Sequence, residues 1–347
     1  MNVIYFHLNN APFITKDIEI LKSRFNNISC RLKFTDNLVS VFTFLKQIFF
    51  ILKNLNKNAI LITQFAGYQS VIPTFIGKVC GLKNYIILGG TDCNWLPSIN
   101  YGNYNKRLLR WATEYSLKNA FHLIPVNEEL VECEYSYTDL DFKKQGFKSF
   151  IKNIDTPYTV IYNGIDIEKY KLMHKFREPK SFITICSVLE DPKRRLVKGI
   201  DLILEIALLM PDITITIIGG SFPNDLVVPK NIKTIPFLPN DQLPEILNKH
   251  QFYLQLSLTE GFPNAVIEAM ACGCIPIVSS VGAMPMIVED SGFVLRTKNI
   301  ELLSSIIINA LDTYSYEKLM KSRQKAEKFD IKNRQNALLK LLLSHQQ

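Results

Sequence analysis

No two cysteines in this chain are spaced as a metal knuckle or a redox motif needs. The seven lie scattered at 30, 80, 93, 133, 186, 272 and 274, an odd number without a CxxC pair. They read as reduced thiols in apolar surroundings, which argues against a disulfide scaffold and against structural zinc. Cys272-Gly273-Cys274 has no histidine beside it, and a helix cap accounts for its glycine. A secretory leader is also missing: Met1-Asn2-Val3-Ile4-Tyr5-Phe6 has no basic region and turns polar by Asn9. The expectation is a cytoplasmic chain that begins with a buried strand. No repeat period of the solenoid kind is found. Long apolar runs are scarce. The longest, Leu38–Leu55, is broken by Lys46 and falls short of the ~20 residues that span a bilayer. A core helix is its first reading. An in-plane membrane helix flanked by Lys46, Lys53 and Lys57 is the second, and a spanning helix the third.

What is present is a globular composition, 47 % hydrophobic and 21 % charged, over a length that suits two domains. The charge is uneven. Residues 1–180 hold 23 Lys/Arg against 15 Asp/Glu, and residues 181–347 hold 17 of each. The whole excess of +8 therefore lies in the first half, which points to an anionic surface or substrate there, or to a plain solubilising face. A nucleic-acid partner is not expected.

Apolar β-branched runs alternate with helical patterns, the signature of βα units and parallel sheets. Strands are expected at 3–6, 30–34, 59–63, 85–88, 121–125 and 159–162, then at 184–188, 213–218, 232–236, 253–256, 275–278 and 292–294. Helices are expected between them. Residues 136–157 read as a polar excursion. The charged segment Glu168–Lys180, with Pro179, reads as a linker. The fold class is thus α/β, with two Rossmann-like domains facing a cleft. One spans 1–170 and the other 180–330, and a last helix over 331–347 crosses back to the first. Ligands in such sheets bind beyond the carboxyl ends of the strands.

The most informative stretch is Glu260-Gly-Phe-Pro-Asn-Ala-Val-Ile-Glu268-Ala-Met-Ala-Cys-Gly273. Gly261 frees a tight turn, Pro263 suits a first helical position, and Gly273 suits a left-handed cap. Asn264–Ala271 is then a short helix whose start favours a phosphate or a polar sugar. Glu268, one turn in, can take both hydroxyls of a ribose. Glu260 would sit near a donor sugar, with the N–H groups of Phe262 and Asn264 beside it. Lys198, before a helix, suits a diphosphate on whose oxygen charge develops. Gly219 and Gly220 permit close approach of a nucleotide. The segment Ser279-Ser280-Val281-Gly282-Ala283 can offer backbone N–H groups to phosphate. Asp92, in Gly89-Gly90-Thr91-Asp92, is a candidate for contact with the sugar or the acceptor hydroxyl, with an Asx turn as the alternative. His122 reads as a satisfied core histidine. Asp139-Leu140-Asp141 resembles a metal motif only by coincidence, since it follows no strand, and no metal is expected.

The stretch 260–273 resembles the E-x7-E signature of retaining glycosyltransferases with two Rossmann-like domains (the GT-B fold), of the group 1 or family 4 type. Asn163-Gly164-Ile165-Asp166, Lys198-Gly199-Ile200-Asp201-Leu202-Ile203 and Ile217-Ile218-Gly219-Gly220 resemble further segments of that family. The resemblance implies that Lys198 binds phosphate, that Glu268 binds the ribose, and that the configuration of the sugar is retained without an enzymic nucleophile. It is carried by residues 155–295. Where relatives have a G-R-L segment this chain has Ser187-Val188-Leu189. The missing cation is expected from Arg194 or Arg195. The expected function is transfer of a sugar from a nucleotide-diphosphate donor to a glycan or lipid-linked acceptor in surface polysaccharide biosynthesis. The place of action would be the cytoplasm, or the inner face of the membrane through the basic first domain. No cofactor beyond the donor is expected. Two other readings are kept: a nucleotide-sugar epimerase or phosphorylase on the same fold, and a non-catalytic nucleotide or glycan binder.

Overall fold

The computed structural model describes residues 2–34, 37–56, 58–173 and 176–345, of 37–40 the backbone alone. Lys57, expected to flank the apolar helix, lies outside them, as do His174 and Lys175 of the expected linker. The chain divides into two compact units. The first holds residues up to 134, 141–163 and 334 onward; the second holds Tyr135–Leu140 and Gly164–Asn333.

The first unit alternates β1 (Asn2–His7), α1 (Pro12–Lys22), β2 (Asn26–Arg31), α2 (Asn37–Asn54), β3 (Ile60–Gln64), α3 (Tyr68–Cys80), β4 (Lys83–Leu88), α4 (Arg107–Asn119) and β5 (His122–Pro125). Its five strands lie in the order β2-β1-β3-β4-β5, and every pairing is parallel. Val3–Phe6 and Ile60–Ile62 are apolar and buried on both faces, as a sheet covered by helices requires. Right-handed crossovers place α2, α3 and α4 together on one face of the sheet, because β2→β3→β4→β5 all step in one direction. Side chains confirm that order. Gln47 Nε2 donates to the Gln69 carbonyl at 2.7 Å, and Ser70 Oγ donates to Ser116 Oγ at 2.7 Å. The core beneath α2 is Ile4, Phe6, Cys30, Leu32, Ile51 and Leu61.

The polar excursion is more ordered than its composition suggests. A short ladder joins β6 (Cys133–Glu134) to β7 (Lys144–Gln145), and α5 (Phe147–Phe150) is a single helical turn. Between them Tyr135 and Tyr137 are buried within the second unit, where Tyr135 Oη donates to the Leu258 carbonyl at 3.0 Å. The expected strand at 159–162 is only a bridge of Tyr158 to Leu123. Asp141 accepts from Ser98 N and Oγ at 3.0 and 2.7 Å, so its carboxylate ties its loop to a turn 43 residues upstream. His122 is buried, with Nε2 2.9 Å from Thr159 Oγ1.

The second unit contains β8 (Ser181–Ile185), α6 (Pro192–Val197), α7 (Ile200–Leu209), β9 (Thr214–Ile218), β10 (Ile232–Ile235), α8 (Leu243–Leu247), β11 (Phe252–Gln255), α9 (Asn264–Ala271), β12 (Ile275–Ser279), α10 (Met284–Val288), β13 (Phe293–Leu295), α11 (Ile300–Asp312) and α12 (Tyr316–Glu327). Its sheet runs β10-β9-β8-β11-β12-β13, again all parallel. The expected linker is built into this unit. Arg177 is buried and donates to the His250 carbonyl at 2.6 Å and also to the Cys272 carbonyl, closing the ends of two helices. Tyr170 is buried as well. The last helix, α13 (Ile331–Ser344), starts as Ile331 N donates to Ile165 O at 2.8 Å. From residue 334 onward it belongs to the first unit, where Arg334 meets Asp17 of α1 in a two-pronged ion pair at 2.6 Å. All seven cysteines are free.

Candidate functional site

Four loops at the carboxyl ends of β8, β9, β11 and β12 form the centre of the second unit, and close backbone packing fixes each to the next. Gly199, at φ +69°, lies so near the end of β11 that a Cβ would meet the Leu256 carbonyl at 2.0 Å. That contact is what sets Lys198, the last residue before it, over the loop that carries Glu260. Gly282, at φ +55°, is pressed on Glu260 in the same way, since a Cβ there would meet its carbonyl at 2.2 Å. Gly219 packs on the Cys186 carbonyl, which a Cβ would meet at 2.2 Å, and Val188 N donates to the Gly219 oxygen at 3.1 Å. A side chain at any of these three glycines would push two loops apart.

The result is a convergence on one oxygen. Glu260 Oε1 accepts from Lys198 Nζ at 2.6 Å, from Ser257 Oγ at 2.7 Å and from Gln255 Nε2 at 3.0 Å. Behind it, Gln255 Oε1 accepts from Tyr253 Oη at 3.0 Å. Tyr253, Gln255 and Ser257 are buried, whereas the Lys198 and Glu260 side chains keep 25 % and 13 % of their surface. The pair is therefore held from the inside and open on the outside. Such a charge-assisted cluster in reduced dielectric fixes both groups. Desolvation, and after it the charges of Glu260 and Glu268, raise the Tyr253 phenol well above its ordinary range, so that phenol stays a donor.

Glu268 stands on α9, 7 % exposed, and bonds the Tyr170 hydroxyl. It is buried one turn behind Glu260, and Tyr253 feels both carboxylates. The cations gather at the end of β8. Lys198, Arg194 and Arg195 all act on the buried Cys186 thiol, although desolvation prevails there and raises it.

Several expected contacts take another form. Arg194 and Arg195 lie in the short helix α6, whose N-cap Asp191 accepts from Lys193 N at 2.9 Å. Arg195 turns back and donates to the Leu189 and Glu190 carbonyls at 2.6 and 3.1 Å, so it braces its own loop. Arg194 is exposed on the same turn. The Asn264 N–H, expected to serve a sugar hydroxyl, donates to the Phe262 carbonyl at 3.0 Å. Its side-chain Oδ1 is buried and lacks a partner among the described residues. Phe262 is buried against the Phe329 ring at 5.6 Å. Gly261 accepts from Ala283 N at 3.4 Å, which ties the 260–264 and 280–283 loops together. Gly220 is at φ +141°.

Asp92 is corrected. It is completely buried in the first unit, and its carboxylate accepts the N–H groups of Gly90, Ala66 and Gly89 at 2.9, 3.0 and 3.1 Å. Desolvation raises its pKa while these bonds oppose the rise. It holds two strand-end loops together through donors that lie upstream or far off in sequence, which is not the forward bond of the Asx-turn alternative, because three backbone donors compete better for a buried carboxylate than solvent does.

Sequence reading missed Tyr253, Gln255 and Ser257. The signal was there: polar side chains alternate at 253 and 255 on one face of β11 and again at 257 just past its end, on the way to Glu260. Val188 was noted only for the arginine it replaces. It sits at φ +64° and is 52 % exposed, a conformation rare for a β-branched residue.

These folds and loops define a class. Residues 174–329 match the family described as glycosyl transferases, group 1. Over nearly its whole length the chain superimposes on solved structures of the GT-B class. Against sucrose-phosphate synthase from Thermosynechococcus elongatus the TM-score is 0.74 at 11 % identity, covering 99 % of this chain and 98 % of that one. Against the Anabaena protein HepE in complex with UDP it is 0.73 at 16 %, covering 99 % and 100 %. The fold is therefore that of the GT-B class, and the part of the chain that matches the group 1 family lies within the second unit.

Among curated relatives, O-antigen chain mannosyltransferase B of Escherichia coli is 27 % identical over 96 residues, which is 28 % of this chain and 25 % of the relative. The N-acetylgalactosamine-N,N'-diacetylbacillosaminyl-diphospho-undecaprenol 4-alpha-N-acetylgalactosaminyltransferase of Campylobacter jejuni is 25 % identical over 264 residues, 70 % of this chain and 71 % of the relative. The match spans about a quarter of the length of the first curated relatives. Among the described residues no helix is long and apolar enough to cross a membrane.

Proposed function

We propose that this chain transfers a sugar from a nucleotide-diphosphate donor to a hydroxyl of a glycan or lipid-linked acceptor. The transfer retains configuration, as in the family 4 type, and serves surface polysaccharide assembly. The observation that carries the reading is the Lys198–Glu260 pair, 2.6 Å apart and open on one side, above a buried polar support. A fixed ammonium at this place offsets the negative charge that grows on the departing phosphate oxygen. Arg194, exposed beside it, adds to that field in place of the arginine that Val188 replaces. Glu260 orients the sugar hydroxyls, and Glu268 accepts from the ribose once its bond to Tyr170 is exchanged. With lysine and arginine in this role no metal is required. The lipid-linked class of acceptor rests on the relatives, two of which are named for O-antigen and undecaprenol-linked sugars.

The test is nucleotide release and glycan product analysis with labelled UDP-, GDP- and ADP-sugars. Lys198→Ala is expected to lower kcat about 10²- to 10³-fold, the loss typical of one group that stabilises a developing oxyanion. Glu268→Ala is expected to raise the donor KM with a smaller effect on kcat. Unchanged transfer by both variants would refute the assignment. An epimerised donor, or a requirement for inorganic phosphate, would move the chain to another enzyme on this fold.

A further inference from the structure

The outer face of the first unit carries a feature that catalysis does not use. On α2 the side chains of Val41, Phe42, Leu45, Phe49 and Leu52 are all exposed, Phe42 to 67 % and Phe49 to 68 %. They fall within about 100° of the helix circumference at 100° per residue, opposite the buried Thr43, Gln47 and Ile51. The neighbouring helices expose apolar side chains too, Phe75 and Val79 of α3 and Leu108 and Trp111 of α4. So wide an apolar surface on a water-exposed face marks an interaction site.

Its charge selects the partner. Neither α2 nor α3 contains an aspartate or a glutamate. The single acid of α4, Glu114, is paired with Arg110 at 2.7 Å. Lys46 and Lys53 lie along one edge of the α2 stripe, long enough to carry their ammonium groups past the apolar surface. Below the ends of α3 and α4 a cavity of about 370 Å³ is lined by Lys78, Lys83 and Lys118 together with Asn119. The Trp111 ring is stacked on Tyr115 at 5.6 Å, a residue pair suited to the headgroup depth of a bilayer. A second copy of the chain does not suit this face, since self-pairing would bring the same lysines together.

We propose that α2, α3 and α4 form a docking face for an anionic lipid bilayer. The apolar stripe lies in the headgroup–acyl boundary, and the lysine-lined cavity takes a lipid phosphate. The inference is independent of the transferase reading, because its test reads vesicle binding and not catalysis.

The test is flotation of the full chain with vesicles of phosphatidylcholine alone or with about one-third phosphatidylglycerol, at low and high salt. The chain is expected to float with the anionic vesicles, at least about tenfold better than with the neutral ones, and less at high salt. The double variant F42S/F49S changes only exposed side chains. It is expected to keep its circular dichroism and its donor hydrolysis while losing vesicle binding about tenfold or more. K46E/K53E is expected to weaken binding to the anionic vesicles alone. Failure to float, or equal binding to both vesicle types, overturns the proposal. So does a dimer in vesicle-free solution that F42S/F49S converts to monomer.

Discussion

At the scale of single residues, the most exposed sign of function is a strained one. Val188 holds a left-handed conformation that L-residues with a branched Cβ avoid. The Gly219 carbonyl, bonded to its N–H at 3.1 Å, and Asp191 N, bonded to its oxygen at 3.2 Å, keep it there. Strain of this kind costs on the order of 1–3 kcal/mol. Val188→Gly is therefore expected to raise stability by roughly 1 kcal/mol after the entropic cost of glycine is deducted. The denaturation midpoint in urea reads it, and a fall in that midpoint would show that the valine side chain packs better than its exposure indicates. Val188→Arg tests whether the missing cation limits turnover: a gain in kcat is expected if Arg194 supplies only part of that charge, and no gain if it supplies all of it.

At the scale of elements, β11 decides the site. Its alternate polar side chains run from Tyr253 through Gln255 to Ser257 and end on Glu260. Gln255→Leu keeps the volume but leaves the Tyr253 hydroxyl without its acceptor and Glu260 with one donor fewer. A stability loss of about 1–3 kcal/mol is expected, with kcat falling as Lys198 and Glu260 lose their fixed positions. A thermal melt and a nucleotide-release assay on one preparation read both. Elements whose patterns carry their own start and stop were legible in the sequence: α7 and α9 lie where they were expected, because a glycine cap and a proline bracket them. The short helix α6 was not, since six residues give too little periodicity. The E-x7-E spacing showed Glu260 and Glu268, but no spacing shows that Asn264 spends its N–H on Phe262. Asp92 misled for a related reason. A carboxylate after two glycines suits a ligand as well as it suits three backbone donors, and only packing decides between them.

At the scale of the whole molecule, one ion pair and two histidines set the response to mutation and acid. Asp17 and Arg334 are almost fully buried, so removing one partner strands a charge. Asp17→Ala is expected to cost about 3–5 kcal/mol, and the double variant Asp17→Leu/Arg334→Met to recover much of it. Calorimetry of the single and double variants measures the difference. His122 and His250 are buried and neutral. Desolvation, followed by the charge of His345, lowers His122 to about 4, and desolvation likewise lowers His250. The unfolded chain binds these protons near its ordinary pKa of about 6.5. Stability is thus fully present above that value and declines as pH falls toward 4, where the native His122 at last takes its proton. His250→Gln should flatten the dependence of Tm on pH, while an unchanged slope would assign the acid loss to other groups. The path of the backbone has a consequence for dissection. The chain passes between its two units at 134/135, 140/141, 163/164 and 333/334. A nick at 163/164 would therefore not free two independently folding halves. The amino-terminal fragment would carry away the Tyr135–Leu140 insert that its neighbour buries, and the carboxyl-terminal fragment would keep the arginine that Asp17 needs.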